Sequence, residues 1–351
     1  LVRSANMLET EFKSNLLAIA RAGAGVNNIP VEKCSEEGIV VFNTPGANAN
    51  AVKELVVAGL LLSSRKIAEG IDWAKSLKGK GAEVGKLVEK GKGNFGGTEI
   101  KGKTLGLVGL GAIGALVANI AVSLGMRVVG TDPFLSVSAA LKLKPEVKVV
   151  KTADEVYKEA DYISLHLPFN AETKGIINKE TIAKMRDGVK LLNFARGELV
   201  NDTDLIEALN SKKVSVYVTD FPNDNTLCVE NIVAIPHLGA SSEESEDNCA
   251  VMASQQLIDY IECGNITNSV NLPNVELTAE YTKICIIHKN IPSIISSITS
   301  VFGKDNINVE NMVDKSKKDY AYAIFDVNGD INDKVLEDIK AIDGIIKIRV
   351  I

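Results

Sequence analysis

Arg196 in NFARGE, Asp220 in VTDFPND and His237 in IPHLGAS each close a short apolar run. Runs of that length, alternating with helical stretches, read as strands, so all three residues stand where a strand gives way to a loop. Ligands of open α/β sheets bind outside the carboxyl ends of the strands, and an Arg, an acid and a His could converge there. Oxidising a secondary alcohol needs a base for the hydroxyl proton while hydride leaves the carbon. His suits that task because it titrates near neutrality. A neighbouring carboxylate would fix its tautomer, and an Arg would offer a planar fork to a substrate carboxylate. The structural alternatives are a cap at His237, which follows Pro236, and a surface ion pair at Arg196. His166 in HLP also ends a strand and is read as shaping a cofactor crevice.

The hydride acceptor has its own signature. Gly109-Leu110-Gly111-Ala112-Ile113-Gly114 is a GxGxxG run that follows a strand, opens a helix and is followed about 20 residues on by Asp132, at the end of MRVVGTD. Gly109 permits a tight turn, Gly111 lets the backbone approach a pyrophosphate at the helix N-terminus, and Gly114 lets helix and strand pack closely. Asp132 can accept from both ribose hydroxyls and would repel a 2′-phosphate. No Lys or Arg follows in PFLSVS, so NAD is expected rather than NADP.

These residues need a frame. From Thr104 the chain alternates TLGLVG, MRVVGTD, VKVV, YISLHL, KLLNFA, VSVYVTD and NIVAIPH with helical stretches, the pattern of a parallel sheet buried on both faces. Residues 1–47 read as short strand–helix alternation. AVKELVVAGLLLSSRKIAEGIDWAKSL reads as a long helical stretch, and the Lys/Gly-rich segment after it as solvated loop and helix end. An amphipathic helix spans about 242–263. Residues 264–280, with Asn and Pro and no periodicity, read as a linker. The tail alternates KICIIHK, IPSIISSITSVF, INVENMV, DYAYAIFDV, DKVLEDIKAI and IIKIRV, a βαββαβ unit of ferredoxin-like type. Its first strand, 282–288, is read as an exposed edge needing cover.

Composition narrows the partners. The 351 residues are 46% hydrophobic and 24% charged, a globular profile with room for two or three domains. A net charge of −6 offers no basic footprint for nucleic acid. The uncharged stretch from Thr104 to Met126 contains five glycines and is read as strand, turn and helix rather than a membrane span. Five scattered cysteines, no two at CxxC spacing, indicate neither a disulfide framework nor a metal site, and fit the cytoplasm. The opening at Leu1, inside the apolar LVRSANML, suggests a natural start further upstream.

GLGAIG, LHLPFNAETKGIIN, NFARGELVN and IPHLGASSEE, in that order along essentially the whole chain, resemble the D-2-hydroxyacid dehydrogenase family. The resemblance implies two Rossmann-like, doubly wound α/β lobes plus the ferredoxin-like domain. A substrate-binding lobe would comprise 1–47 and 240–272, an NAD-binding domain 48–239, and a regulatory domain of the ACT type 281–351. It implies that Arg196 orients the substrate carboxylate, that His237 is the acid/base, that Asp220 meets the nicotinamide carboxamide, and that Pro168 lies by the adenosine. Ala195 and Gly239 fall on the cofactor side as well. The family's catalytic Glu usually sits in a DVFxxE run. The run here is DFPND, one residue shorter, so Asp224 is assigned that role.

LVRSA, RAGAGVNNIP and FNTPGANANAVKELV resemble the phosphoglycerate-oxidising branch, in which Arg3 and Ser4 would bind the substrate phosphate, with Gly25 and Asn48 as further contacts. The implied reaction is NAD-dependent oxidation of 3-phospho-D-glycerate to 3-phosphohydroxypyruvate, the first step of phosphorylated L-serine biosynthesis. The alternative is a reductase of glyoxylate, hydroxypyruvate or another 2-oxo acid. His288, Asn290 and Asn308 match effector positions, for which serine is the candidate, while Ser293 replaces a typical Gly. A homodimer or homotetramer is implied, without nucleic-acid, membrane or metal partners.

Overall fold

The computed structural model describes residue 2 and residues 5–351. The chain forms two compact units, Asn48–Ser245 and the combination of Leu1–Ala47 with Glu246–Ile351.

The elements up to the second unit are β1 (Ala18–Ala20), α1 (Val31–Glu36) and β2 (Val40–Phe42). The middle unit begins with α2 (Ala49–Ser64), α3 (Ile67–Ser76) and α4 (Val84–Gly91). It continues through β3 (Thr104–Val108), α5 (Ala112–Ser123), β4 (Arg127–Thr131), α6 (Val137–Ala140), β5 (Val147–Val149), α7 (Ala153–Glu159) and β6 (Tyr162–Leu165). α8 (Lys179–Ala183), β7 (Val189–Asn193), α9 (Asp202–Asn210), β8 (Val214–Thr219) and β9 (Ile232–Ala234) complete it. The Lys/Gly-rich segment is more ordered than its composition suggests. It contains α4, and Phe95 stacks on Trp73 with ring centroids 5.1 Å apart.

The sheet order is β5-β4-β3-β6-β7-β8-β9, with every pairing parallel. The order reverses between β3 and β6, which creates a crevice at their carboxyl ends. The strands are apolar throughout because both faces are covered. Val156, Ile163, Leu191 and Leu205 belong to one core. Val56, Leu60, Leu107, Val117 and Val218 belong to the other.

The first unit holds β1 and β2, paired in parallel with Ala18 opposite Val40. It also contains α10 (Glu243–Cys263), whose first residues belong to the middle unit. Residues 264–280 are not a loose linker. Ser269 bridges Phe42 antiparallel, and Val270 N donates to Val41 O at 2.8 Å. The buried Asn271 accepts from Val41 N (2.8 Å) and donates to Ile39 O (2.9 Å) and Ser35 Oγ (3.1 Å). Ile266, Leu272 and Val275 are fully enclosed.

The tail is β10 (Thr282–Lys289), α11 (Ile294–Lys304), β11 (Asn308–Lys317), β12 (Tyr320–Asn328), α12 (Asp333–Lys340) and β13 (Ile345–Val350). The sheet order β11-β12-β10-β13 with antiparallel pairing is ferredoxin-like. β10 is therefore an inner strand bonded on both sides, and the edges are β11 and β13. Its run of buried residues agrees with an inner position and overturns the edge reading. Cys285, Ile287, Tyr322 and Ile324 from this sheet share a core with Ala20, Phe42 and Tyr260.

Among the described residues no helix is long and apolar enough to cross a membrane. Nor, among them, do three His, Cys, Asp or Glu residues gather as a metal site would require.

Candidate active site

The glycine turn sits at the reversal in sheet order. Gly109 has φ +100°, and a Cβ there would meet His166 O at 2.5 Å. A Cβ at Gly114 would meet Gly109 O at 2.1 Å, so backbone contacts exclude a side chain at either position. Gly111, at the N-cap of α5, faces open space, and Ala112 and Ile113 begin the helix. An anionic group can therefore approach the unpaired N–H groups of the first turn.

Asp132 braces the turn. Its Oδ2 accepts from Leu110 N and its Oδ1 from Phe134 N, both at 2.9 Å. Each carboxylate oxygen keeps a second lone pair for a ribose hydroxyl. His166, beyond β6, lies across the crevice, with Ser164 Oγ 3.0 Å from Nε2. Burial pushes its imidazole down to about 4, so the ring is neutral at physiological pH. Pro168 is exposed next to it.

The three strand-end residues do meet. The buried Asn193, last residue of β7, donates to Arg196 O (2.8 Å) and Tyr217 OH (3.2 Å), and its Oδ1 accepts from Ala195 N (3.2 Å). One side chain thereby shapes the turn that presents Arg196. Asp220 follows β8 and is 0% exposed. Its Oδ2 accepts from Gly239 N at 3.1 Å, which ties the His237 loop to the end of β8. Its Oδ1 is buried without a hydrogen-bond partner. Burial raises the Asp220 carboxyl above its ordinary value, while the charges of His237 and Arg196 pull it back.

Phe221 completes the cluster. Its ring lies 4.5 Å from the His237 ring, and the Arg196 guanidinium carbon is 6.0 Å from its centroid.

Asp224 does not join them. It is exposed, on a turn built by Asn223 and Thr226. Asn223 and Asn225 both donate to Asp202 Oδ2, which anchors this turn toward α9. The charge of His237 acts on the buried Asp220 carboxylate.

The substrate-side residues are reached only in part. Arg3 and Ser4 lie outside the described residues. Gly25 is half-buried in the loop after β1 of the first unit. Asn48 is the N-cap of α2 in the middle unit, with no side-chain cap bond.

The proposed effector residues are engaged within their own domain. His288 is 1% exposed, with Nδ1 2.8 Å from Lys289 O and Nε2 3.1 Å from Asp314 Oδ1, so it serves the sheet rather than an open ligand site. Asn290 donates to Lys318 O (3.0 Å) and Asn308 to Glu310 Oε1 (2.8 Å). Ser293 has φ 67°, the left-handed conformation that glycine adopts most readily.

Sequence reasoning gave no role to Asn193 or Phe221. A polar residue ending the buried run KLLN was the available signal for Asn193, since buried amides must find partners. Phe221 had no comparable signal, because an aromatic beside a strand end is usually core.

Residues 57–239, just over half of the chain, match the model of the D-isomer specific 2-hydroxyacid dehydrogenase, NAD binding domain. The chain is 34% identical to D-3-phosphoglycerate dehydrogenase of Bacillus subtilis over 88% of its own length and 57% of that protein's. It therefore spans little more than half of that relative. It is 40% identical to hydroxypyruvate reductase of Thermotoga maritima, over 70% of this chain and 78% of the other. The crystal structure of NAD+-bound 3-phosphoglycerate dehydrogenase of Entamoeba histolytica superposes with a TM-score of 0.58 at 31% identity, covering 75% and 77% of the two chains. With the glycine turn, Asp132 and the strand-end cluster in place, the chain belongs to the D-isomer specific 2-hydroxyacid dehydrogenase family and carries that family's NAD-binding domain.

Proposed function

We propose that this protein oxidises 3-phospho-D-glycerate to 3-phosphohydroxypyruvate with NAD, the opening reaction of phosphorylated L-serine synthesis. The observation that carries the reading is the grouping of Arg196, Asp220 and His237 about Phe221 at the carboxyl ends of β7, β8 and β9. The named relatives and Arg3 in LVRSA support the phosphorylated substrate.

The residues present fit a dinucleotide. The Gly109–Gly114 turn and the α5 N-terminus would hold the pyrophosphate, Asp132 the ribose, and Pro168 the adenosine. The buried, unpartnered Asp220 Oδ1 would take a carboxamide N–H. Bound NAD supplies the hydride acceptor. Arg196 grips the substrate carboxylate and polarises the α-oxygen. His237 takes the hydroxyl proton on an imidazole nitrogen as the C–H hydride departs. The Asp220 carboxylate favours the imidazolium that results. Arg3, Ser4, Gly25 and Asn48 are the proposed substrate contacts.

The Thermotoga relative favours a second reading, reduction of hydroxypyruvate or another 2-oxo acid on the same scaffold. Initial rates of NADH formation from a panel of 2-hydroxy acids decide. A preference for 3-phospho-D-glycerate supports the first reading, and a preference for D-glycerate or glycolate the second. We assign the C-terminal domain an ACT-like role, with serine as candidate ligand at Asn290 and Asn308 and self-association into a homodimer or homotetramer. Calorimetric titration with L-serine tests that assignment, and absence of binding removes it.

A further inference from the structure

Among the described residues no hydrogen bond or ion pair holds the exposed His237 imidazole. Among the described residues the Arg196 guanidinium makes one hydrogen bond, Nη1 donating to Ala195 O at 2.6 Å. Two side chains so lightly tethered would sample several rotamers, and a reaction that needs both in register would suffer.

Phe221 supplies what the hydrogen bonds do not. Its ring is 4.5 Å from the His237 ring at an interplanar angle of 44°, and 6.0 Å from the guanidinium carbon of Arg196. Its own placement is fixed from the backbone, since Phe221 N donates to the buried Thr219 Oγ1 at 3.1 Å. The Arg196 turn packs closely on it: a Cβ at Gly197 would lie 3.3 Å from Phe221 Cβ.

We propose that Phe221 is a positioning residue whose single ring braces both Arg196 and His237, keeping the carboxylate-binding fork and the acid/base in one register. The inference rests on the hydride-transfer reading above. The ring does more than fill space, because its negative face attracts cations. The charged groups facing this pair are Arg196, beyond β7, which opposes the imidazolium, and Asp220, at the end of β8, which favours it.

The brace is tested by the NMR signal of the His237 ring in the free protein, assigned by its loss in His237→Asn, together with initial-rate kinetics. In Phe221→Leu the His237 ring-proton signal should lose the displacement that a neighbouring aromatic ring imposes and broaden as the side chain samples more rotamers. kcat/KM should fall at least about tenfold with NAD affinity unchanged. Phe221→Tyr keeps the ring and should restore both. If Phe221→Leu does not fold, Phe221→Met gives the same comparison at similar volume. An unmoved His237 signal, or a Tyr variant as impaired as the Leu variant, overturns the proposal. Wild-type turnover of the 2-hydroxy acid panel tests the functional reading separately, because the NMR comparison needs no substrate.

Discussion

The ends of β7 and β8 in the middle unit, and the end of β10 and the start of β11 in the C-terminal domain, both gather polar residues and treat them in opposite ways. In the middle unit the groups are left unfinished. Asp220 Oδ1 is buried without a partner, the space before Gly111 is open, and among the described residues no hydrogen bond holds the His237 ring beside Phe221. In the C-terminal domain His288 is bonded at both ring nitrogens, and Asn290 and Asn308 each have a partner. A buried polar atom without a partner costs stability, so a fold keeps one only where something else completes it. Unmet bonding capacity therefore separates the reactive cluster from the polar residues that hold a sheet together.

The sharpest way to break this contrast is at the two histidines. His237→Ala should lower kcat by about 10²–10⁴-fold, the usual worth of a general acid/base, while NAD binding persists. A loss of less than about tenfold would take the proton-transfer role from His237. His288→Ala should leave kcat within about twofold yet destabilise the C-terminal domain by about 1–3 kcal/mol, since Asp314 and Lys289 O lose their partner. That cost would appear in the urea midpoint.

The two aspartates give a smaller but more discriminating contrast. Asp220→Asn should reduce activity at least about tenfold and shift the pH profile, because the carboxylate facing His237 is removed. Asp224→Asn should change activity less than about threefold. The reverse ranking would restore Asp224 as the relay carboxylate.

Gly114→Ala probes the cofactor side. The new methyl would meet Gly109 O at 2.1 Å, so a cost of about 1–3 kcal/mol and weaker NAD binding are expected. Unchanged NAD affinity would mean that the turn does not set it.

The mildest effect is electrostatic. The folded-state pKa of His166 is pushed down to about 4 from 6.5. Between those values the unfolded chain binds a proton that the folded chain refuses, so stability falls as pH drops from 6.5 toward 4. A His166→Asn variant should show a flatter stability profile across that window by thermal melts at graded pH.

Much of this frame was legible in the sequence. All seven strands of the middle sheet were marked by apolar runs, and GLGAIG with Asp132 located the turn because close backbone approach leaves little choice of residue. What escaped was non-local. The polar composition of residues 264–280 concealed that Asn271 is buried and bonded to Ser35, Ile39 and Val41, more than two hundred residues away in sequence. The buried run in β10 is itself a sign of an inner strand, yet its pairing with β13 is set by the far end of the chain. At the active site a motif comparison places the relay carboxylate at Asp224 by position, whereas the burial of Asp220 and its contact with Gly239 are non-local and cannot be read from spacing.

The central claim is hydride transfer from a 2-hydroxy acid to NAD with His237 as the base. The most direct test is the rate of NADH formation by wild-type protein and by His237→Ala, with 3-phospho-D-glycerate as substrate at saturating NAD. The account predicts steady NADH production in the wild type and a fall of about 10²-fold or more in the variant. Equal rates in the two proteins, or no NADH from any member of the 2-hydroxy acid panel, would contradict it.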